Sequence, residues 1–235
     1  MMRYILGCFL FLSFFKGFSQ EATFKLDTLK IQHDSLYRED QFYAQLNYNS
    51  IVKKPDGLVQ DKISFGFGVG FLRDFPLNKN RTFAIAPGIG LSFNNYIQNM
   101  SITGTNHAPI YNIIPSEFDY DRNRFEQFRL DVPIEFRWRT STPESFQFFR
   151  IYGGLKLSYL LSDKSVYDDG TQKIVIKNNK DFEDFIYGVY LSMGYSAFNL
   201  QIYYDLNSIF KSSAQINSVP ITMNALSLGV IFYIL

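Results

Sequence analysis

The chain carries 235 residues, enough for one domain or two small ones. Lys plus Arg number 23 and Asp plus Glu 22, and the resulting net charge of +1 offers no electrostatic footing for nucleic acid. The single cysteine, Cys8, excludes a disulfide scaffold and Cys-rich zinc sites. Aromatic residues reach 18% while charged ones stay at 19%, a mixture that alternation of apolar and polar residues produces.

Residues 1–19 read as a secretory signal peptide. Arg3 makes a positive start, Tyr4 to Phe15 is an apolar stretch too short to span a bilayer, and Gly17 and Ser19 place small residues before a cut at Gln20. Lys16 is out of place in such a segment. The rival is a lipoprotein signal on Ile5-Leu6-Gly7-Cys8, which leaves almost no apolar stretch ahead of the cysteine. Cleavage after Ser19 removes Cys8 together with Arg3 and Lys16. Beyond it no run approaches the ~20 apolar residues of a spanning helix. The mature chain is then either an exported soluble protein or an outer-membrane barrel. Residues 20–40 are polar and lack a period, and read as an N-terminal periplasmic extension ahead of a domain over 41–235.

From Gln41 the apolar period is two. Strands are expected over 41–49, 63–71, 83–97, 128–139, 149–161, 183–195, 198–206 and 224–235. The sharpest is 128–139: Phe128, Leu130, Val132, Ile134, Phe136 and Trp138 share one face, and Arg129, Asp131, Pro133, Glu135, Arg137 and Arg139 the other. A helix turns ~100° per residue and cannot produce this. Short connections (74–80, 140–147, 196–197) alternate with longer polar ones (50–61, 99–124, 162–181, 207–222) rich in turn formers such as Pro55-Asp56-Gly57 and Asp168-Asp169-Gly170. The fold class expected is all-β, an eight-stranded antiparallel transmembrane up-and-down β-barrel in the outer membrane, with both chain ends on the short-turn, periplasmic side.

One face of each strand is bulky, and the other is rich in Gly, Ala and Ser. Small residues suit the narrow inside of an eight-stranded barrel, and the bulky face suits lipid. Secreted lipocalin-like barrels and β-sandwiches would reverse this. Trp138, Tyr159, Tyr187, Tyr195 and Tyr204 lie near strand ends, as an aromatic girdle requires; Tyr43 and Tyr96 lie there too, with inward parity. Pro87 and Pro133 fall inside strands, so each implies a bulge or a missing ladder bond. The inward charges are Arg129, Asp131, Glu135, Arg137, Arg139, Arg150, Lys156, Asp184 and Asp205. They read as a lumen ionic network that fills the barrel, with a conductance path as the alternative. A hairpin pairing 137 with 150 would set Asp131 opposite Lys156. Leu226, Leu228, Val230, Phe232 and Ile234 form the outward face of the last strand and read as the signal for barrel-assembly machinery.

No catalytic constellation is evident, and no metal or cofactor motif. His107 stands in a long loop near Ser101 and Ser116, with nothing in the sequence to order them. Gly66, Gly68 and Gly70 alternate with Phe67 and Val69 and precede no helix, so they form a strand face and not a phosphate loop. Glu117, Asp119 and Asp121 lack a calcium loop's spacing and glycine.

Several runs carry a family resemblance. Asp40-Gln-Phe-Tyr43, Lys54-Pro-Asp-Gly57, Gly70-Phe-Leu-Arg-Asp-Phe-Pro-Leu-Asn-Lys-Asn-Arg81, Gly88-Ile-Gly-Leu-Ser-Phe-Asn-Asn-Tyr96, Asp131-Val-Pro-Ile-Glu-Phe-Arg-Trp-Arg-Thr-Ser-Thr-Pro143 and Phe149-Arg-Ile-Tyr-Gly-Gly154 resemble the PorT family, the 131–143 run most specifically. The resemblance covers residues 40–235. It implies an outer-membrane barrel that is a non-catalytic accessory component of the type IX secretion system, which exports folded cargo and serves gliding motility in some members. Other secretion subunits would then be partners, besides outer-membrane lipid. The alternative is a stand-alone small barrel, porin-like or adhesive.

Overall fold

Alternation over long segments leaves each strand with one face to bury and one to expose, and a sheet that closes on itself satisfies both. The computed structural model of the protein describes residues 40–140 and 149–234. The signal peptide, nearly all of the 20–40 extension, residues 141–148 with most of the expected 140–147 turn, and Leu235 lie outside the described residues.

In chain order the strands are β1 (Gln41–Val52), β2 (Phe65–Leu72), β3 (Phe75–Pro76), β4 (Phe83–Ile97), β5 (Met100–Gly104), β6 (Pro109–Ile113), β7 (Arg122–Arg139), β8 (Phe149–Asp168), β9 (Lys173–Lys177), β10 (Phe185–Tyr195), β11 (Phe198–Asp205), β12 (Gln215–Ile216), β13 (Val219–Pro220) and β14 (Asn224–Ile234). Eight of them close a ring of antiparallel neighbours, β1-β2-β4-β7-β8-β10-β11-β14 and back to β1. The closing pair sets Phe42 opposite Ile234 and Tyr43 opposite Tyr233, so the described start and end of the barrel lie together at the short-turn end. Closure removes every edge from the ring.

The eight expected strands are all present, and the two largest differences in their bounds and one in register have physical reasons. β7 begins at Arg122, not 128, because Arg122, Arg124 and Glu126 hold the outward parity there and remove the apolar signal. β8 runs to Asp168, not 161, because Leu161 is an extra residue: Arg129 faces Leu160 while Phe128 faces Ser162. This β-bulge flips the parity, so Asp163 and Ser165 point inward where Tyr152 and Ser158 did before it. The β7–β8 hairpin pairs Arg139 with Arg150 and Arg137 with Tyr152, two residues from the expected register. Thr140 closes it, its N–H donating to the Phe149 carbonyl at 3.0 Å. A two-residue slip keeps every side chain on its face.

The two prolines border one interruption. The β4–β7 register is constant, yet the pairs at Gly88/Pro133 and Ile89/Val132 are missing from the ladder between Pro87/Ile134 and Gly90/Asp131. The prolines therefore cost ladder bonds, and the bulge lies elsewhere.

The bulky face is exposed along every ring strand, as in the run Phe65, Phe67 and Val69 on β2. Its aromatics fall into two bands. At the short-turn end, Phe149, Tyr195, Phe198 and Phe232 follow one another across β8, β10, β11 and β14, with Trp138 opposite Phe83. At the long-loop end, Phe67, Phe93 and Phe128 adjoin across β2, β4 and β7, and Tyr159 stands opposite Phe185. From Phe149 to Tyr159 is roughly 33 Å of strand at ~3.3 Å per residue, which a tilt of ~40° reduces to about 25 Å, the height of an outer-membrane apolar band.

The long connections are not plain loops. They carry the β5–β6 and β12–β13 hairpins and β9, and they pack a second apolar core over the mouth of the barrel. Its centre is aromatic: Phe182 and Phe210 lie 4.6 Å apart between ring centroids, and Phe125 stacks on Tyr96 at 4.8 Å.

Candidate functional site

Inside the ring the polar side chains form a continuous column from the short-turn end to the cap. Its first layer is centred on Asp74. That carboxylate accepts from Arg139 Nη1 and Nη2 at 2.9 and 2.8 Å and from Arg137 Nη1 at 2.9 Å. Arg139 also donates from Nε to the Arg81 carbonyl at 2.9 Å. Arg137 Nε donates to Glu135 Oε2 at 2.9 Å, and Tyr233 donates its hydroxyl to Glu135 Oε1 at 2.8 Å. The Arg137 and Arg150 guanidinium groups lie 4.9 and 5.7 Å from the Tyr152 ring centroid. Direct opposition of Arg139 and Arg150 is tolerable because the Asp74 carboxylate offsets the Arg139 charge.

The second layer joins Asp131 and Lys156. They are not directly opposed, since Ser158 faces Asp131 and Lys156 faces Pro133. Lys156 instead reaches Asp131 diagonally, with Nζ 3.6 Å from Oδ2, while Ser158 Oγ donates to Oδ1 at 2.5 Å. The same ammonium sits 3.9 Å above the centre of the Tyr203 ring. In the third layer Arg129 Nη1 is 4.0 Å from Asp205 Oδ2, and Arg129 donates to Gln127. Tyr203 donates to Asp205. Apart from Lys156, which is half-buried, these charged groups are nearly or fully buried, so each depends on the others.

Glycine makes this filling possible. A side chain at Gly70 would put its Cβ 2.5 Å from the Tyr43 ring, and one at Gly154 would put it 2.8 Å from the Tyr190 ring. The inward tyrosines lie flat against a wall stripped of side chains. The space left among Tyr43, Glu135, Lys156, Tyr190 and Tyr203 is about 20 Å³, room for one water molecule.

One expected network residue lies elsewhere. Asp184 precedes β10, is exposed, and pairs with Lys211 at 2.7 Å on the rim of the cap. Its parity placed it inward, but the strand that would impose that parity starts one residue later. Tyr43 and Tyr96, considered for the girdle, are 6% and 1% exposed and belong to the interior. Trp138, Tyr187 and Tyr195 are exposed near strand ends, Tyr159 is exposed in the middle of β8 opposite Phe185, and Tyr204 is partly exposed. On β14, Leu226, Leu228, Val230, Phe232 and Ile234 take the outward face, and the strand is held between β11 and β1. The alternation of apolar and polar residues does not single out Asp74, because it follows β2 in a short connection. Its signal was there, since the inward parity of Gly70 and Leu72 continues to position 74.

At the cap, Tyr111 donates to Asp181 Oδ2 at 3.1 Å and Ser213 donates to Asp181 Oδ1 at 2.8 Å. Burial pushes the Tyr111 phenol up, with the Asp181 charge adding to it. Beyond the bulge, Asp163 accepts the Asn179 N–H at 3.0 Å, and burial pushes its carboxyl up to about 6. His107 is exposed in the β5–β6 turn, while Ser101 Oγ donates to the Asn112 carbonyl at 3.2 Å, so the two are not coupled. Glu117, Asp119 and Asp121 are exposed.

No curated protein sequence matches the chain. Among solved structures it is similar to Ail, the attachment invasion locus protein of Yersinia pestis, at 15% identity and a TM-score of 0.41, covering 85% of this chain and 100% of that one. The structure of Ail with the heparin analogue sucrose octasulfate gives 13% identity and 0.42, with the same coverage. The family model described as outer membrane protein beta-barrel domain matches residues 18–211. With a closed eight-stranded ring, a bulky exposed belt and small residues within, this chain belongs to that family and is an outer-membrane β-barrel protein.

Proposed function

We propose that this barrel works through its surfaces, neither conducting nor catalysing, as an accessory component of type IX protein secretion. The observation that carries the first half is the filled lumen: stacked ion pairs and tyrosines occupy it, and the gap among Tyr43, Glu135, Lys156, Tyr190 and Tyr203 measures about 20 Å³. A pore would need that column to dissolve, stranding several buried charges at several kcal/mol each. What remains for partners is the cap, the short turns and the lipid-facing wall. The second half is supported by the PorT-like runs, above all Asp131 to Pro143, whose charged members include Asp131, Glu135, Arg137 and Arg139. In this reading those residues hold the barrel together, and the aromatic bands and the outward face of β14 serve membrane seating and recognition by the assembly machinery.

Deleting the gene and measuring secretion of cargo with a C-terminal signal tests the assignment. Cargo retained in the periplasm, and rescued by the intact gene, supports it. Normal secretion with a loss of surface attachment favours the second reading, a stand-alone adhesive barrel, which the ordered cap also suits. Orientation is read by labelling whole cells with an impermeant thiol reagent. Gly104 and Gly170 have φ of +81° and +83°, unsuited to cysteine, so His107→Cys and Thr171→Cys are the better probes. Both should label, and Lys79→Cys on the short-turn end should not.

A further inference from the structure

Past the long-loop aromatic band, β7, β8 and β9 rise as a three-stranded wall. Its inner face, with Phe125 and Ile176, is buried in the cap core. Register fixes the rows of its outer face. Glu126, Lys164 and Lys177 stand side by side, then Arg124, Val166 and Val175, then Arg122, Asp168 and Lys173. Five cations therefore share this face with two acids. Both acids are engaged, Glu126 with Arg124 at 2.8 Å and Asp168 with Lys173 at 3.9 Å. Lys164 and Lys177 are direct cross-strand partners and have no ion-pair partner among the described residues. Like charges in that position repel unless an anion joins them.

At the foot of this wall, where the Leu161 bulge opens the sheet, lies a depression of about 340 Å³. Phe93 and Phe128 form its apolar side, while its polar side carries Lys164 and Lys177 together with the carboxylates Glu126, which is paired with Arg124, and Asp163, which accepts the Asn179 N–H. Lys164 is level with Glu126, two residues beyond Phe128, which is about 5 Å above the top of the lipid-facing belt at ~3.3 Å per residue and a ~40° tilt. An acyl chain fits the lower half and a phosphate the upper.

We propose that Lys164 and Lys177 clamp the phosphate of an outer-leaflet glycolipid headgroup, with an acyl chain of that lipid against Phe93 and Phe128. The occupant follows from charge and height together: two unpaired ammonium groups stand where headgroup phosphates lie, over aromatic rings placed for the chains. The inference rests on the long-loop end facing outward. Binding itself is read on the purified full chain, so its failure is distinct from a failure of orientation or of the secretion assignment.

The experiment titrates the full chain, in zwitterionic detergent, with lipid A bearing its phosphates and with dephosphorylated lipid A, counting bound lipid by native mass spectrometry. We expect the phosphorylated form to bind at least about tenfold more tightly. K164Q/K177Q should lose that preference, and K79Q at the other end of the barrel should keep it. Heat-modifiable gel migration checks that each variant is folded. For the unmutated protein, raising NaCl from about 50 to 500 mM should weaken binding severalfold by screening, a reading that needs no variant. Equal binding of both lipid A forms would overturn the proposal, as would salt-independent binding or an undiminished double variant. Equal binding of phosphatidylglycerol vesicles, or binding of sulfated polysaccharide in place of lipid, would overturn it as well.

Discussion

Tyr233 on the last strand donates its hydroxyl to Glu135 on β7 at 2.8 Å, and β14 and β7 stand on opposite sides of the eight-strand ring. One hydrogen bond thus ties the barrel across its bore. Through Glu135 it reaches Arg137, and through Arg137 it reaches Asp74. Tyr233→Phe removes a buried bond to a charged acceptor and should cost ~1.5–3 kcal/mol. Glu135→Gln should cost more, since it also weakens the hold on Arg137. Urea midpoints in detergent would show this, and the double variant should lose less than the two losses combined. Additive losses would mean that the two side chains act independently.

Asp131 and Lys156 invite a second cycle. Asp131→Asn leaves the Lys156 ammonium over the Tyr203 ring without its carboxylate, at a cost of ~3–5 kcal/mol if the site is dry. Adding Lys156→Gln should recover part of that loss, measured as a shift in the unfolding midpoint. Simple additivity would show that the 3.6 Å diagonal contact contributes nothing.

The cap has its own core and should open separately from the barrel. Phe210 packs on Tyr111, Phe125 and Phe182. Phe210→Ala should cost the cap ~3–5 kcal/mol and make residues 206–223 cleavable by protease while the ring keeps its heat-modifiable migration. Loss of both together would mean that cap and ring fold as one unit.

Much of this was legible in the sequence, and the limits have physical causes. Where lipid faces a strand, alternation is pure, and the eight ring strands follow from it. Where β7 and β8 rise above lipid, polar outward residues and the Leu161 bulge erase the period, so the wall reads as loop. The hairpin register was missed by two residues because parity alone cannot separate Arg137 opposite Arg150 from Arg139 opposite Arg150. The cap core is assembled from residues far apart in sequence, such as Tyr96, Tyr111, Phe182 and Phe210, whose local patterns are short and carry no shared signal.

Asp163 supplies a pH dependence. Its carboxyl sits above the barrel belt with a folded value near 6 against an ordinary 3.8, because burial disfavours the charge. The fold therefore holds that proton more tightly than the unfolded chain does. The group costs stability at neutral pH, and the cost fades as pH falls through about 6. Asp163→Asn keeps an acceptor for the Asn179 N–H, and should raise the cap's resistance to protease at pH ~7.5 with little advantage left near pH ~4.5. A variant less resistant at the higher pH would refute the assignment.

The central claim is that an ionic column seals the barrel and leaves its surfaces to do the work. Planar-bilayer recording of the purified full chain tests it most directly. We expect insertion without discrete conductance steps, because the buried Asp74, Glu135, Arg137 and Arg139 cluster and the Asp131–Lys156 pair stand across the bore, and the gap among Tyr43, Glu135, Lys156, Tyr190 and Tyr203, about 20 Å³, holds a single water molecule. Reproducible ohmic steps from the folded protein, abolished when it is heat-unfolded, would contradict it.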